Sequence, residues 1–395
     1  MPRIEPWLLP EGIDELLPPD AEFLERMRRK LLDLFQGWGY ELVEPPLIDY
    51  LDSLWVGTGQ DLALQTFTLT DQATGRLLGI RADITPQVAR LDAHRLRRET
   101  PARLCYLGPV LLTHGDGLGR SRNPLQIGAE LYGHAGPESE VEILSLLMET
   151  LAQAGMANIH LDLGHVGIFR GLARQAGVPA EVERDLFELL QRKARSDVRE
   201  YLEGLGIRDP MAAMLQGLME LDGDDALDRA GTILAGAEAD VHEAVDHLRL
   251  VKSLCDRWLP EVPIHFDLAE LRGYHYKTGV VFAAFVAQSG QEVARGGRYD
   301  AIGQFFGRAR PAVGFSADLK TLLRHGTRQV DEKQEKLFVP WGDEPVRREQ
   351  VAILRTAGRQ VVWGLPGQRG DARAMGCSQE LVWMEPTGWF LQAVH

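Results

Sequence analysis

The fold is decided by the segment Leu125-Gln126-Ile127-Gly128-Ala129-Glu130-Leu131-Tyr132-Gly133. Its alternation of side chains predicts a β-strand, because successive residues of a strand point to opposite faces of a sheet. Gln126 and Glu130 are four residues apart and share one face, and Gly128 between them leaves space for a ligand. The pattern therefore indicates a strand that lines a pocket, although a solvent-exposed polar face would give the same alternation.

The elements before this strand predict an antiparallel sheet with helices. Residues 102–110 have the pattern of a second strand, and a glycine-rich loop at 115–119 joins it to the first. Residues 66–80 predict a hairpin. The apolar spacing over 21–36 predicts an amphipathic first helix, and the strand that follows must end at Pro45-Pro46, because proline cannot donate to a sheet ladder.

The second half of the chain changes character twice. Residues 171–250 have helical periodicity and few strand signals, and strands return from residue 264. One of these strands, at 292–295, precedes Gly296-Gly297-Arg298-Tyr299-Asp300. We expect a first domain at 1–325, with a helical insertion at about 171–250, then a linker at 326–336 and a small α/β domain at 337–395.

Composition narrows the class of protein. The 395 residues are 45% hydrophobic and 25% charged, as in globular proteins. The net charge of −14 argues against a protein whose main function is to bind the phosphate backbone of a nucleic acid. The segment 171–250 is itself acidic, with 17 Asp and Glu against 9 Lys and Arg.

Cysteine spacing and the lengths of apolar runs predict the location of the protein and whether it holds a metal. The three cysteines stand more than 100 positions apart, so we expect no disulfide framework and no metal site. The N-terminus has no apolar stretch typical of a signal peptide. No run approaches the roughly 20 apolar residues that a membrane helix needs. We therefore expect a cytoplasmic protein that does not enter a membrane.

Candidate functional residues are dispersed, since the common phosphate, zinc and acyl-transfer motifs are absent. In the segment 81–86, Asp83 and Thr85 either point into a concave sheet face or serve as helix caps. The segment 272–279 brings an arginine suited to a carboxylate together with tyrosines and glycines. With Gln126 and Glu130, these groups suit a small zwitterion such as an amino acid.

The order of these segments resembles histidyl-tRNA synthetase, a class II aminoacyl-tRNA synthetase, over about residues 5–325. The resemblance implies an α+β fold with an antiparallel sheet flanked by helices. It also implies a homodimer through the first helix and the Pro46 region. The segments that carry it are Arg-Ala-Asp-Ile-Thr-Pro at 81–86, Tyr-Leu-Gly-Pro at 106–109, the strand at 126–133, Leu-Arg-Gly-Tyr at 271–274, Gly-Gly-Arg-Tyr-Asp at 296–300 and Ala-Val-Gly-Phe at 312–315.

Two departures from the synthetases concern ATP. The arginine that holds the α-phosphate in the family is replaced here by Leu112, and the arginine of the late motif by Thr321. Neither side chain carries a charged guanidinium group that could bind a phosphate through two hydrogen bonds. Losing one such contact typically slows a reaction on the order of 100 to 1,000-fold, so the resemblance implies a chain without catalytic residues.

Amino-acid recognition is better preserved in the resemblance. It implies that Glu130 reads an imidazole and that Arg272 faces a carboxylate. The family's tyrosine pair is Tyr276-Lys277 here, and Tyr274 is the candidate replacement for the missing ring. The expected effector site consists of Asp83, Thr85 and Gln126 around the amino group, with Glu130, Arg272, Tyr274 and Tyr276.

A synthetase-like chain with an amino-acid pocket, no ATP arginines and a short last domain resembles the regulatory subunits of ATP phosphoribosyltransferase. That resemblance implies a role in the first step of histidine biosynthesis, a short-form catalytic subunit as partner, L-histidine as effector and no cofactor. One alternative is an amino-acid adenylating enzyme with an altered ATP site. A tRNA-sensing module would need a basic last domain, but residues 330–395 carry 8 basic and 9 acidic side chains, so tRNA binding is not expected.

Overall fold

The computed structural model describes residues 5, 7–55, 59–115, 121–269, 276–287, 289–327, 336–384 and 388–394. For residues 59–61 and 180 it describes the backbone only. Contacts divide the chain into two units, Met1–Thr327 and Arg328–His395.

The first unit combines helices with strands, which confirms the predicted α+β class. Its strands are β1 (Glu41–Leu42), β2 (Ile48–Tyr50), β3 (Phe67–Thr70), β4 (Leu77–Ile80), β5 (Ala102–Pro109), β6 (Leu125–Tyr132), β7 (Ile159–His165), β8 (Asp222–Gly223), β9 (Ile264–Asp267), β10 (Val280–Val286), β11 (Gln291–Arg298) and β12 (Ala312–Asp318). Its helices are α1 (Asp20–Gly37), α2 (Leu51–Trp55), α3 (Gly59–Gln65), α4 (Thr85–Arg90), α5 (Pro137–Gln153), α6 (Val166–Gln175), α7 (Ala180–Gln191), α8 (Arg195–Gly204), α9 (Met211–Gly217), α10 (Ala226–Ile233), α11 (Ala239–Trp258) and α12 (Leu319–His325). Short π and 3-10 turns cover Leu91–Leu96, Leu218–Glu220 and Ile302–Phe306.

Nine of the described strands form one sheet in the order β1-β5-β6-β12-β11-β10-β7-β9-β8. Its pairings are antiparallel except for β1 with β5 and β7 with β9. Strands β2, β4 and β3 form a separate three-stranded sheet that contains the predicted hairpin. The predicted pair of β5 and β6 lies inside the large sheet and is antiparallel, as the sequence indicated.

The two faces of β6 differ in chemistry. Ile127, Ala129 and Leu131 are buried in the main hydrophobic core, which also contains residues of α1 and α5. The opposite face of β5 and β6 packs into a second core that contains residues of α4. Both faces of the sheet are therefore covered around β6, and a polar side chain on the α4 face lies in an enclosed environment.

The region from β7 to β9 is helical, with α6 to α11 spanning 166–258 and the two-residue strand β8 between α9 and α10. Strand β11 extends beyond the predicted 292–295, because Gly296, Gly297 and Arg298 continue the ladder with β12. Gly297 adopts φ +147, and a Cβ there would lie 2.5 Å from the Val280 carbonyl oxygen, so only glycine fits. Of the predicted loop at 115–119, residues 116–119 lie outside the described residues.

The second unit is a small α/β domain formed by β13 (Lys336–Val339), α13 (Pro345–Thr356), β14 (Gln360–Trp363), β15 (Gln379–Met384) and β16 (Gly388–Ala393). Its sheet has the order β14-β13-β15-β16, with β13 parallel to both neighbours. The strands and the helix of this unit match the α/β character expected from the sequence. No helix in the described ranges combines the length and apolarity required to cross a bilayer.

A buried ion pair connects strand β11 of the large sheet to helix α5. Arg298 of β11 donates from Nε to Glu140 Oε1 of α5 at 2.7 Å, and His247 of α11 lies 3.1 Å from the same oxygen. The side chains of Arg298 and Glu140 are 6% and 0% exposed. Burial would raise the pKa of Glu140, but its bonds to His247 and Arg298 lower the pKa below its usual value.

We predict that Arg298→Met destabilises the first unit by about 3 to 5 kcal/mol, because it leaves the Glu140 carboxylate buried without its main cation. The measurement is the free energy of unfolding of the full chain in urea. Arg174→Met is the matched control, since Arg174 also binds two carboxylates but its side chain is 61% exposed, and it should change stability little. Equal effects of the two substitutions would contradict the prediction.

Candidate functional site

The centre of the site is a buried carboxylate. Glu130 of β6 is 1% exposed. Its Oε1 accepts from the hydroxyls of Thr85 at 3.0 Å and Tyr106 at 3.1 Å, and its Oε2 accepts from the hydroxyl of Tyr299. Glu130 therefore lies on an enclosed face, and a solvent-exposed location, the alternative reading of the strand pattern, is wrong for this residue.

The charge of Glu130 is balanced between opposing effects. Burial raises the pKa of its carboxyl, because a carboxylate loses its hydration away from water. The hydroxyl of Tyr299, the ammonium of Lys277 and the hydroxyl of Thr85 each favour the ionised form and lower the pKa. A carboxyl under this balance can accept hydrogen bonds or take up a proton close to neutral pH.

Two glycines create the space that Glu130 and its donors occupy. Gly314 of β12 is directly opposite Glu130, and a Cβ there would lie 1.5 Å from Glu130 Oε2. Gly128 is opposite Tyr106, and a Cβ there would lie 2.4 Å from the Tyr106 hydroxyl oxygen. The strand register therefore puts a glycine across from each large polar side chain of the site.

A second set of polar side chains, those of Asp83 and Gln126, lies beside Glu130 and its hydroxyl donors. Gln126 Nε2 donates to Asp83 Oδ1 at 2.8 Å, and the backbone N–H of Ile84 donates to Gln126 Oε1 at 2.9 Å. The backbone N–H of Thr85 also donates to Asp83 Oδ1, at 3.1 Å. Asp83 thus accepts from the first residue of α4 and also from Gln126, whereas the N-cap residue of α4 is Ile84 and no side chain caps this helix. Asp83 and Gln126 are half-buried and together offer oxygen acceptors to a ligand.

The structure brings five of the predicted site residues together on one side of the sheet. Thr85 joins Asp83 and Gln126 to Glu130, and Tyr276 packs edge-on against Tyr299 with ring centroids 6.3 Å apart. Lys277, next to Tyr276, is buried and donates to the carbonyl of Gly297. Two further predicted site residues, Arg272 and Tyr274, lie outside the described residues.

Two site residues were not predicted, namely Tyr106 and Tyr299. Both belong to segments that the sequence singled out, 106–109 and 296–300, but the hydroxyl contacts with Glu130 depend on strand register. One signal was available for Tyr106, since the alternation of β5 puts it on the same face as the polar residues of β6 once the two strands are paired. For Tyr299 the available signal was its position two residues after the glycine pair Gly296-Gly297.

The two positions at which the sequence resemblance predicts the loss of ATP-binding arginines, Thr321 and Leu112, have local structural roles. Thr321 lies at the start of α12, where its hydroxyl donates to Asp318 Oδ2 at 2.8 Å. Leu112 is bonded through its backbone, and its carbonyl accepts from Arg122 Nε at 3.0 Å. Arg122 also donates to the carbonyl of Glu11, so this neighbouring guanidinium is engaged by the backbone. In the described ranges no group of three or more His, Cys, Asp or Glu could hold a metal ion.

Comparison with known families agrees with this arrangement of strands and helices. Residues 12–322 match the model of the histidyl-tRNA synthetase family. A histidyl-tRNA synthetase structure from Nostoc has the same fold, with a TM-score of 0.76 at 18% identity over 95% of this chain and 91% of that chain. The first unit therefore has the class II synthetase fold of the histidyl type, as predicted.

The second unit separates this chain from the synthetases. Residues 334–392 match the model described as ATP phosphoribosyltransferase subunit HisZ C-terminal domain. An ATP phosphoribosyltransferase regulatory subunit from Alkalilimnicola ehrlichii is 57% identical over 97% of this chain and 96% of that protein. One from Thioalkalivibrio sulfidiphilus is 56% identical over 95% of each. The chain belongs to the family of ATP phosphoribosyltransferase regulatory subunits, and its part in that enzyme is regulatory and not catalytic.

We predict that Gly314→Ala destabilises the first unit by about 1 to 3 kcal/mol, because the new methyl group must displace the Glu130 carboxylate or the strand. The check is the urea midpoint of the full chain, read by circular dichroism. Gly37→Ala at the end of α1 is the control, since its Cβ would meet nothing within 4 Å. A Gly314→Ala variant as stable as the control would show that the pocket can accommodate a side chain there.

Proposed function

We propose that the pocket around Glu130 binds L-histidine and that the chain conveys this binding as feedback inhibition to a short-form catalytic subunit in a hetero-oligomer. The observation that carries the proposal is the buried Glu130 carboxylate, surrounded by three hydroxyl donors and adjacent to Asp83 and Gln126. A carboxylate has about four acceptor sites, so one that binds three hydroxyls can still accept a hydrogen bond from an N–H group of a ligand.

The roles of the individual side chains follow from their chemistry and from the family resemblance. Glu130 would accept a hydrogen bond from the imidazole. The oxygens of Asp83, Thr85 and Gln126 would accept from the α-ammonium group, and Arg272 would face the α-carboxylate. Tyr276 and Tyr274 would complete the walls of the pocket. No cofactor is required for this role, because binding alone changes the state of the complex.

Inhibition at a distance requires two states of the complex. Histidine can shift the equilibrium only if it binds the inhibited arrangement more tightly than the active one. A tenfold difference in affinity corresponds to about 1.4 kcal/mol of coupling free energy. By the same linkage, a ligand that favours the active arrangement of the complex would weaken histidine binding by the same factor by which histidine weakens the binding of that ligand.

A second proposal concerns a homodimer through the first helix and the Pro46 region. Around Pro46, four large apolar or aromatic side chains are exposed, namely Leu42, Leu47, Ile48 and Tyr50. Groups of exposed apolar side chains often mark an interface. We also propose that the complex works in the cytoplasm and does not bind tRNA, which the acidic character of the chain supports.

We predict that Glu130→Gln weakens inhibition by histidine at least tenfold while activation of the catalytic subunit persists, because the amide removes a charged acceptor from the imidazole. The assay is phosphoribosyl transfer to ATP by the reconstituted complex with histidine titrated in. Glu142→Gln is the control, since this carboxylate also binds a tyrosine and an arginine but lies on α5. Unchanged inhibition in the Glu130 variant would contradict the assignment of the histidine site, and no activation by the wild-type chain would contradict the proposed short-form partner.

We predict that Ile48→Asp dissociates the proposed homodimer, because a carboxylate would be buried in an apolar interface. Molar mass by light scattering after size-exclusion chromatography is the measurement. Leu250→Asp is the control, since Leu250 of α11 is also exposed but lies outside the proposed interface. A dimer that survives Ile48→Asp at micromolar concentration would contradict this location of the interface.

A further inference from the structure

Lys277 is the one lysine of the described pocket, and its ammonium is buried. The residue is 5% exposed, and Nζ donates to the carbonyl of Gly297 at 3.3 Å. The same nitrogen lies 5.0 Å from the ring centroid of Tyr276 and 5.1 Å from that of Tyr299. Among the described residues the ammonium group, which carries three N–H bonds, has one carbonyl and two ring faces as partners.

The counter-charge for Lys277 comes from Glu130 across Tyr299. The hydroxyl of Tyr299 donates to Glu130 Oε2, while the ring of Tyr299 faces the Lys277 ammonium. Burial lowers the pKa of Lys277, and the charges of Glu130 and then Asp83 raise it again. Within the described ranges the hydrogen bond of the ammonium goes to Gly297, so the two charges attract each other without a direct ion pair.

The charged and titratable groups around Lys277 come from several elements. Asp83 precedes α4, Glu130 is on β6, and Arg295 on β11 opposes the positive charge of Lys277. The tyrosines of this face are also buried, and burial raises the pKa of each above its usual value, so they act as neutral hydroxyls at physiological pH. They are Tyr106, Tyr132, Tyr276 and Tyr299.

We propose that Lys277 and Glu130 together select the neutral form of the imidazole ring, with Glu130 accepting from one ring nitrogen and Lys277 donating to the other. This inference rests on the proposed binding of histidine in this pocket. A carboxylate only accepts, and an ammonium only donates. Neutral imidazole has one donor and one acceptor, whereas imidazolium has two donors and no acceptor. An imidazolium would also bring a second positive charge next to Lys277.

The test compares two ligands of the full-length chain by titration calorimetry between pH 5.5 and 7.5. One is L-histidine, and the other is L-1,2,4-triazole-3-alanine, whose ring stays neutral in this range and has both an N–H and an acceptor nitrogen. The titration of pocket residues affects both ligands alike, so the ratio of their association constants isolates the protonation of imidazole. With an imidazole pKa near 6.5, the neutral fraction and hence the histidine to triazole ratio should rise about tenfold.

The outcomes separate this inference from the proposal on which it rests. A ratio that falls with pH would mean that imidazolium is bound, and a constant ratio would mean that the pocket does not distinguish the two forms. Either result overturns the selection of the neutral ring while leaving histidine as the effector. Absence of binding of both ligands at every pH would overturn the effector proposal, and this inference with it.

A variant tests the part of Lys277 directly. Lys277→Met should weaken histidine binding at pH 7.5 by about tenfold or more, because the charged donor to the ring is lost. The matched control is Lys193→Met, which removes a lysine paired with Asp222 at 2.5 Å and Asp267 at 2.9 Å outside the pocket. A folded Lys277→Met chain with wild-type affinity would overturn the proposed contact. If this variant does not fold, the pH series on the wild-type chain decides the question.

Discussion

The burial of one carboxylate, that of Glu130, constrains the centre of the first unit. An ionised group away from water must be surrounded by donors and opposite charge, or it takes up a proton. The sheet meets this requirement with hydroxyls from three separate segments and a nearby ammonium. This arrangement requires glycine at two positions, Gly314 and Gly128. Any larger residue there would occupy the volume of the carboxylate or of the Tyr106 ring.

The segment 296–300 joins this pocket to the helical side of the molecule. Arg298 and Tyr299 are neighbours in the chain but serve opposite faces of the sheet. Arg298 binds Glu140 of α5, and Tyr299 binds Glu130 in the pocket. A change in the position of this segment would therefore alter both the geometry of the proposed ligand site and the packing of α5 and α11. Such a connection is what a regulatory subunit needs if ligand binding is to alter a distant surface.

The sequence was informative wherever a pattern is local. The amphipathic spacing of the first helix and the strand alternation of β5 and β6 are read from neighbouring residues. The register between distant strands is not local, so the tyrosine donors of Glu130 were missed. The extension of β11 was missed because two glycines usually weaken a strand.

The family resemblance and the geometry contribute different parts of the account. Membership of the regulatory family is shown by relatives that match nearly the whole chain. The geometry adds a buried carboxylate surrounded by hydroxyl donors, and it gives Thr321 and Leu112 local contacts at the two positions where the resemblance predicts lost ATP-binding arginines. A pocket that keeps amino-acid recognition without phosphate recognition would sense its ligand and not activate it.

The most direct test of that claim measures histidine binding and histidine-dependent exchange of pyrophosphate into ATP on the same preparation of the chain. The account predicts saturable binding of histidine by equilibrium dialysis, with exchange no faster than in a sample without histidine. Histidine-dependent exchange above that background would contradict the account, because it would show that the pocket still forms an adenylate.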